Sequence, residues 1–574
     1  AEQSEKDEED EKVQEIQINI SKDIIPFVMP LCCLLTIKEN TRDFMEMINL
    51  VQETPELLEI FKDQSFIWWS HKDTINFIKH IVKKYINKNS IIYNICISIK
   101  ISLISMLDDK VKLLEYISSC LKPKDIEKKA FGEVFTPIWL IEEMLGKLKE
   151  YNPACFTDSK RKWLDPAVGM GNFVIVLYYR LMEELPEEEF KTLMDKKKHI
   201  LENMIYMSEL NKKNCFLTKQ ILDPCGEYKL NLYEGDSLTK EWNVKFDYVI
   251  GNPPYQKKTE GVRKGGYGGR SLWDKFVIKS LDLLNTKGVL VFIHPPSWRK
   301  PEHKLWDIMS QNQILYLKCF SKKEGNIMFG CATLVDYYIL EKTPIYKNTN
   351  IYGQDKKEYS IDLRKWNFIP SGVIYDIEKI LGENEVIYSR TLFGTDKKWI
   401  CKVQTDIFKY PVIHNMTQKG LGYVYSNENK GHIGVKKVIL SFNEKQYPYN
   451  DYEGKYAMSQ ICYGLKIESK EHGDKIVKAI NSKSFKEIIK YTKWSTFQTD
   501  WRMFKCFKPD FYLDFLEEEI QADAQEEIQA EVQEEEIDLT KETVKDLRAQ
   551  CKNKGLKKYS KLKKADLIKL LKAA

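Results

Sequence analysis

The sequence predicts an α/β fold organised around a largely parallel sheet, and three observations point to it. Short apolar, β-branched runs alternate with helix-period segments from about residue 139 to residue 340, the pattern of strands joined by crossover helices. One of those strands enters the turn Gly169-Met170-Gly171 and then a helix, a geometry that brings a ligand against backbone N–H groups. Finally, Phe246 to Ile250 reads as a buried strand that stops at Gly251 and Pro253-Pro254, because neither proline can donate to a ladder and each fixes φ.

The bulk numbers are those of a globular protein. The chain has 574 residues, with 43% hydrophobic and 30% charged, enough for about three or four domains at ~150 residues each. Net charge is +5, but its distribution matters more. Residues 1–12 carry −5 and residues 517–538 carry −11, so the remainder is +21, with +9 of it in residues 539–574. A basic body beneath two acidic segments suits a polyanionic partner. The 13 cysteines show no CxxC pair and no Cys/His ligand spacing, so free thiols and no metal are expected. The apolar run Ile24 to Ile37 is broken by Pro26 and Pro30 and is too short to span a bilayer. No signal peptide is evident at the acidic start, and an intracellular protein, neither secreted nor transmembrane, is expected.

In chain order, residues 1–18 read as an acidic disordered tail and 19–125 as a helical domain. Its apolar spacing appears at Phe44, Met47, Ile48 and Val51, and again at Ile75, Ile78, Ile81 and Val82. That domain reads as a packing or dimerisation module. Residues 126–345 read as the catalytic domain. It opens with Phe135-Thr136-Pro137, which leads into an amphipathic helix from Trp139 to Leu148. The strand at Trp163 leads through Asp165-Pro166-Ala167-Val168-Gly169-Met170-Gly171 to an apolar helix, Val174 to Leu185. The third glycine of the dinucleotide fingerprint is replaced by Val174. The next acid-ended strand, Ile205 to Glu209, ends 38 residues after Gly171 rather than about 20. A nucleoside without a pyrophosphate therefore fits better than NAD. Glu209 is placed to accept both ribose hydroxyls, or it serves as an acid beside a helix start. Further strands are expected at Tyr228 to Tyr233, before Asp236, at Phe246 to Ile250, at Gly288 to Ile293 and at Leu334 to Leu340.

The stretch after Tyr255 holds five glycines from 261 to 269 and the bases Lys257, Lys258, Arg263, Lys264 and Arg270. It reads either as a loop that closes on a phosphate backbone or as a solvated loop. Residues 346–515 read as a mixed α/β recognition region. There Trp494 and Arg502 interleave with lysines, as nucleic-acid contacts or as aromatic core with basic rim. Residues 516–538 form an acidic linker, and 539–574 a basic helical hairpin turning at Gly555-Leu556.

The ordered set Phe135-Thr136-Pro137, Asp165 to Gly171, Glu209, Asp236 and Asn252-Pro253-Pro254-Tyr255 resembles the amino-group DNA methyltransferases of the N6-adenine type, in their gamma order. The similarity covers roughly 125–510 and is greatest to the long methylases of type I, type IIG and large DNA viruses. The last hairpin, with Lys554-Gly555-Leu556 and Lys564 to Ile568, is similar to a SAP domain, a small DNA-binding module. The resemblance implies a Rossmann-like S-adenosylmethionine-dependent methyltransferase sheet and double-stranded DNA as substrate. It also makes a restriction endonuclease or specificity subunit a candidate partner. It implies that Phe135, Thr136, Pro137, Asp165, Ala167, Gly169, Gly171, Glu209 and Asp236 serve the cofactor, and that Asn252, Pro253, Pro254 and Tyr255 serve catalysis. The chemistry agrees with the residue types. The Asn252 amide oxygen and the Pro253 carbonyl can accept the two hydrogens of an adenine amine, and Tyr255 can stack on a base drawn out of the duplex. Enzymes that methylate glutamine side chains or ribosomal RNA guanine share the tetrapeptide and remain rivals. So do a methylase with its nuclease elsewhere and a non-catalytic DNA-binding relative.

Overall fold

The computed structural model describes residues 136–223, 227–256, 271–330, 333–443, 445–495, 499–516, 542–557 and 559–572, together with Lys110. Several expectations lie outside these residues: the acidic tail, the helical domain up to 125, Phe135, the bases Lys257, Lys258, Arg263, Lys264 and Arg270, and the acidic linker from 517. The chain divides into two units, Ala1–Lys379 with Ile488–Cys506, and Ile380–Glu487 with Phe507–Ala574.

Among its described residues the first unit carries nine strands: β1 (Trp163–Asp165), β2 (Ile205–Glu209), β3 (Asn231–Glu234), β4 (Phe246–Gly251), β5 (Leu284–His294), β6 (Gln313–Phe320), β7 (Val335–Glu341), β8 (Thr349–Tyr352) and β9 (Glu358–Ile361). They form one sheet in the order β3-β2-β1-β4-β5-β7-β6-β8-β9. β3, β2, β1, β4 and β5 are mutually parallel, and β7 lies antiparallel between β5 and β6. Strand order reverses between β1 and β4, which opens a crevice at their carboxyl ends. Successive strand residues face opposite sides, so the unbroken burial of Gly288 to His294 in β5 and of Val335 to Leu340 in β7 means both faces are covered.

The helices around this sheet follow from their spacing. Helix α1 (Ile138–Tyr151) buries the stripe Leu140, Ile141, Met144, Leu145 and Leu148. Helix α2 (Asn172–Glu184) is apolar nearly all round and buries every residue from Phe173 to Tyr179. At the amino ends of β1 and β4, Trp163 stacks on Phe156 at 5.3 Å and on Tyr248 at 4.0 Å, while Asn152 donates to the Tyr248 hydroxyl. This cluster fixes the β1–β4 pair whose other ends form the crevice.

Two expected boundaries move. The strand read at Tyr228 begins at Asn231, and the one read at Gly288 begins at Leu284. A register shift between Phe246 and Tyr248 in β4 lets Leu284 pair with Phe246 and extends β5 backward. The break anticipated at residue 345 is absent, because β8 pairs with β6 and β9 with β8.

The second unit contains two four-stranded sheets. One joins β10 (Val386–Ile387), β17 (Cys462–Lys466), β14 (Lys437–Ser441) and β15 (Tyr449–Asp451); the other joins β11 (Ile400–Cys401), β13 (Gly420–Ser426), β12 (Tyr410–Thr417) and β16 (Ala457–Met458). Ile413, Met416, Ile439, Met458 and Cys462 form a core shared by both sheets. The buried Lys437 ammonium is satisfied by Asp451 at 2.7 Å and by the carbonyls of His432 and Val435. The same unit includes the helical hairpin. Its helices, Val544–Asn553 and Lys564–Lys572, bury Leu547 and Cys551 against Leu567 and Leu571, and Gly555 turns the chain at φ +69°. Among the described residues no helix is long and apolar enough to cross a membrane.

Candidate active site

The site is built along the carboxyl edge of the sheet, and hydrogen bonds and one close backbone approach link its parts. β1 ends at Asp165, whose carboxyl is buried; its Oδ1 accepts from the Ala167 N–H at 3.0 Å. The neighbouring strand β4 ends at Gly251, where a Cβ would stand 2.9 Å from Asp165 Oδ1. Only glycine allows that approach, and φ +151° there also favours it. Asn252 follows at once. Its Nδ2 donates to Thr136 Oγ1 at 3.1 Å, and the Thr136 carbonyl accepts from Asn172 Nδ2 at 3.0 Å. The Asn252 turn is thereby tied to the segment before α1 and to the first residue of α2.

On the other side of β1, the Gly169 N–H donates to Glu209 Oε2 at 2.8 Å, and the Asn211 N–H donates to Glu209 Oε1 at 2.8 Å. The Glu209 carbonyl accepts from the Gly235 N–H at 2.8 Å, which brings Asp236 alongside. Asp236 is exposed and spends one carboxylate oxygen on the Leu238 N–H. Gly169 at φ +56° and Gly171 at φ +94° shape the turn between β1 and α2. The Gly169 carbonyl accepts from Thr218 at 3.3 Å. Pro253 is buried, Pro254 and Tyr255 are half-buried, and Tyr255 packs against the core cluster that includes α1 and α2. The Leu272 N–H donates to the Tyr255 carbonyl, and Gln256 pairs with Ser271.

The electrostatics are dominated by Asp165. Burial pushes its carboxyl up to about 8, with Glu209 adding repulsion and the Ala167 N–H opposing the shift. Its Oδ2 is buried without a hydrogen-bond partner, as is Oδ1 of Asn172. Two orphaned polar atoms beside a glycine turn and an acid-ended strand are what a nucleoside-type cofactor bearing an ammonium would satisfy. Among the described residues no group of three or more His, Cys, Asp or Glu side chains could hold a metal.

Residues 85–324 match the Eco57I restriction-modification methylase family. The matched stretch runs through β6 and contains every residue of this crevice. An adenine-specific methylase of Mycoplasma pneumoniae, described as uncharacterized, is 23% identical over 299 residues, covering 38% of this chain and 67% of that protein. Type II methyltransferase M.BsuBI of Bacillus subtilis is 24% identical over 278 residues, covering 45% of this chain and 52% of its own length. The chain thus spans between half and two thirds of these curated relatives. Among solved structures, the DNA-bound, ATP-dependent type ISP restriction-modification enzyme LlaBIII matches at a TM-score of 0.45 and 11% identity, over 84% of this chain and 45% of its own. A complex of DrdV with DNA matches at 0.42 and 11% identity, over 85% of this chain and 65% of its own.

Thr136, Pro137, Asp165, Ala167, Gly169, Gly171, Glu209, Asp236 and Asn252 to Tyr255 all fall along the one edge. Two expected nucleic-acid contacts do not fit their surroundings. Trp494 is 4% exposed, packs edge-on to Phe368 and donates its indole N–H to the Ile369 carbonyl, so it is a core residue with no face for a base. Arg502 is held by both oxygens of Asp500 and by Glu302, so its guanidinium already has carboxylate partners. Lys554 and Lys564 are exposed on the helical hairpin. Sequence reasoning passed over Asn172, although it directly follows Gly171. It also passed over Leu210, an apolar side chain 73% exposed immediately after Glu209.

Proposed function

We infer that this chain is an adenine-specific DNA methyltransferase of the restriction-modification type, taking its methyl group from S-adenosylmethionine and placing it on the exocyclic amine of a flipped-out adenine. One observation carries the reading: Gly251, immediately before the Asn252-Pro253-Pro254-Tyr255 turn, closes over the carboxyl of Asp165, where the Asp165 to Gly171 turn begins, and Asn252 bonds to Thr136. A nucleophile-orienting amide and a nucleoside-type pocket therefore share one crevice.

When bound, the cofactor supplies an electrophilic methyl group on a sulfonium. The chain's own residues hold and orient. Asp165 Oδ2 and Asn172 Oδ1, together with Phe135, Thr136 and Pro137, would hold the cofactor's polar end. Glu209 already accepts one N–H on each oxygen. Glu209, at the end of its strand, would accept from the ribose hydroxyls of the cofactor. Leu210, exposed beside Glu209, would offer an apolar surface to the cofactor's adenine, and Asp236 would accept from its amine. Asn252 Oδ1 and the Pro253 carbonyl accept the two hydrogens of the substrate amine, which is a poor nucleophile while its lone pair is spread into the ring. Holding both hydrogens favours a tetrahedral nitrogen with its lone pair directed at the methyl. Pro254 stiffens the turn, and Tyr255 stacks on the base. Lys257, Lys258, Arg263, Lys264 and Arg270, with Lys554 and Lys564 on the SAP-like hairpin, contact phosphates.

The test is transfer from labelled cofactor to unmethylated duplex DNA, followed by mapping of N6-methyladenine. Asn252→Ala is expected to abolish transfer while cofactor binding survives. Retained transfer would remove Asn252 from catalysis. Label found only in protein or structured RNA would move the chain to the glutamine or RNA methylases.

A further inference from the structure

We propose that Thr218 is a positioning residue for the cofactor pocket, holding the Gly169 turn in the shape that receives the nucleoside. The inference rests on the S-adenosylmethionine reading of the crevice and deepens it. Gly169 sits at φ +56°, in the left-handed region, and a glycine has more backbone freedom to lose than any other residue. Side chains remove that freedom on both sides of its Cα. Its N–H donates to Glu209 Oε2 at 2.8 Å, and its carbonyl accepts from Thr218 Oγ1 at 3.3 Å. A carbonyl cannot donate, so the threonine hydroxyl is the donor and the direction of the bond is fixed. Each peptide unit is planar, so these bonds set the planes before and after Gly169. The Thr218 hydroxyl also lies 3.6 Å from where a Cβ on Gly171 would stand, so it sits against both glycines of the turn.

Thr218 belongs to the helix Lys212–Leu222. Cys215, Thr218 and Leu222 recur at i, i+3 and i+7, on one face of that helix, and all three are buried. A valine of the same shape would bury apolar surface at this position, whereas a buried hydroxyl costs free energy until it is bonded. The partners of the face account for the hydroxyl. Cys215 Sγ donates to the Glu209 carbonyl at 3.4 Å, and one turn further on Thr218 reaches Gly169. The helix thereby braces the end of β2 and the glycine turn together, before any ligand arrives.

The experiment compares Thr218→Val and Thr218→Ser with the parent in the full chain. Calorimetry gives the dissociation constant for S-adenosylmethionine. Single turnover at saturating cofactor gives the transfer rate on unmethylated duplex DNA, and hydrogen exchange in the cofactor-free chain follows residues 166–172. Thr218→Val keeps the shape and removes the donor. It is expected to weaken cofactor binding roughly 3- to 10-fold and to speed exchange across 166–172, while the saturated rate stays within about twofold. Thr218→Ser keeps the donor and is expected to match the parent in all three measurements. A Val variant with the parent's affinity would overturn the proposal, as would Val and Ser variants that weaken binding alike. Lost affinity with faster exchange throughout β1 and β2 would also overturn it, since that marks a loosened core rather than a freed turn. A parent chain that binds no S-adenosylmethionine removes the cofactor reading and this proposal with it; parent-like binding by Thr218→Val removes this proposal alone.

Discussion

Asp165 shows how one buried atom can carry a measurable signature. Its carboxyl rises from 3.8 to about 8 because burial disfavours the charged form, with Glu209 adding to the shift. The folded chain therefore keeps a proton that the unfolded chain has released above pH ~4. This contribution to stability is complete below that pH and is lost as pH rises through about 8. Asp165→Asn removes the titration, so the fall in thermal midpoint between pH 5 and pH 8.5 should be smaller in the variant than in the parent. An equal fall in both would mean that Asp165 is ionised in the fold. Gly251 belongs to the same scale: the residue type is dictated by 2.9 Å of space over the Asp165 carboxyl.

At the scale of elements, the most separable piece is the C-terminal hairpin. Two short helices meet through Leu547, Cys551, Leu567 and Leu571, and each helix is too short to hold its shape alone in water. Leu547→Ala leaves a cavity in that four-residue core, at a cost of about 2–5 kcal/mol. Amides from 544 to 572 should then lose hydrogen-exchange protection in the full chain, while those of β4 and β5 keep theirs. Retained protection in the hairpin would show that other contacts hold it. Helix Lys322–Phe329 is secured differently, by a capping box in which Ser321 and Glu324 satisfy each other's backbone N–H groups.

For the whole molecule, charge is the governing quantity. The last 36 residues carry +9, and the hairpin holds Lys554 and Lys564 at its surface. If the hairpin contacts phosphates, deleting 539–574 should weaken DNA binding and flatten the dependence of log affinity on log salt, since fewer counterions are released. Fluorescence anisotropy across a salt series reads both effects. An unchanged slope would place the DNA contacts elsewhere in the chain.

The sequence by itself determined the strands that end at Asp165, Glu209 and Gly251, and the turns that follow them. Glycines, prolines and alternating apolar runs act through local sterics and hydrogen bonding, which neighbouring residues alone decide. It also determined the two stripes of the hairpin, because helical spacing is a local property. β6, β8 and β9 were not legible in the same way. β6 is buried on both sides, so it shows no alternation to distinguish it from a helix, and β8 and β9 are short. Trp494 and Arg502 misled for a related reason: bases beside aromatics look the same in a core with an ion-paired rim as on a nucleic-acid surface. Only the tertiary structure decided that Trp494 is interior, that Asn252 meets Thr136 across 116 positions, and that Glu209 braces Gly169 across 40. Those pairings arise from strand order and packing, which bring distant residues within hydrogen-bond reach, and no local pattern of residues encodes them.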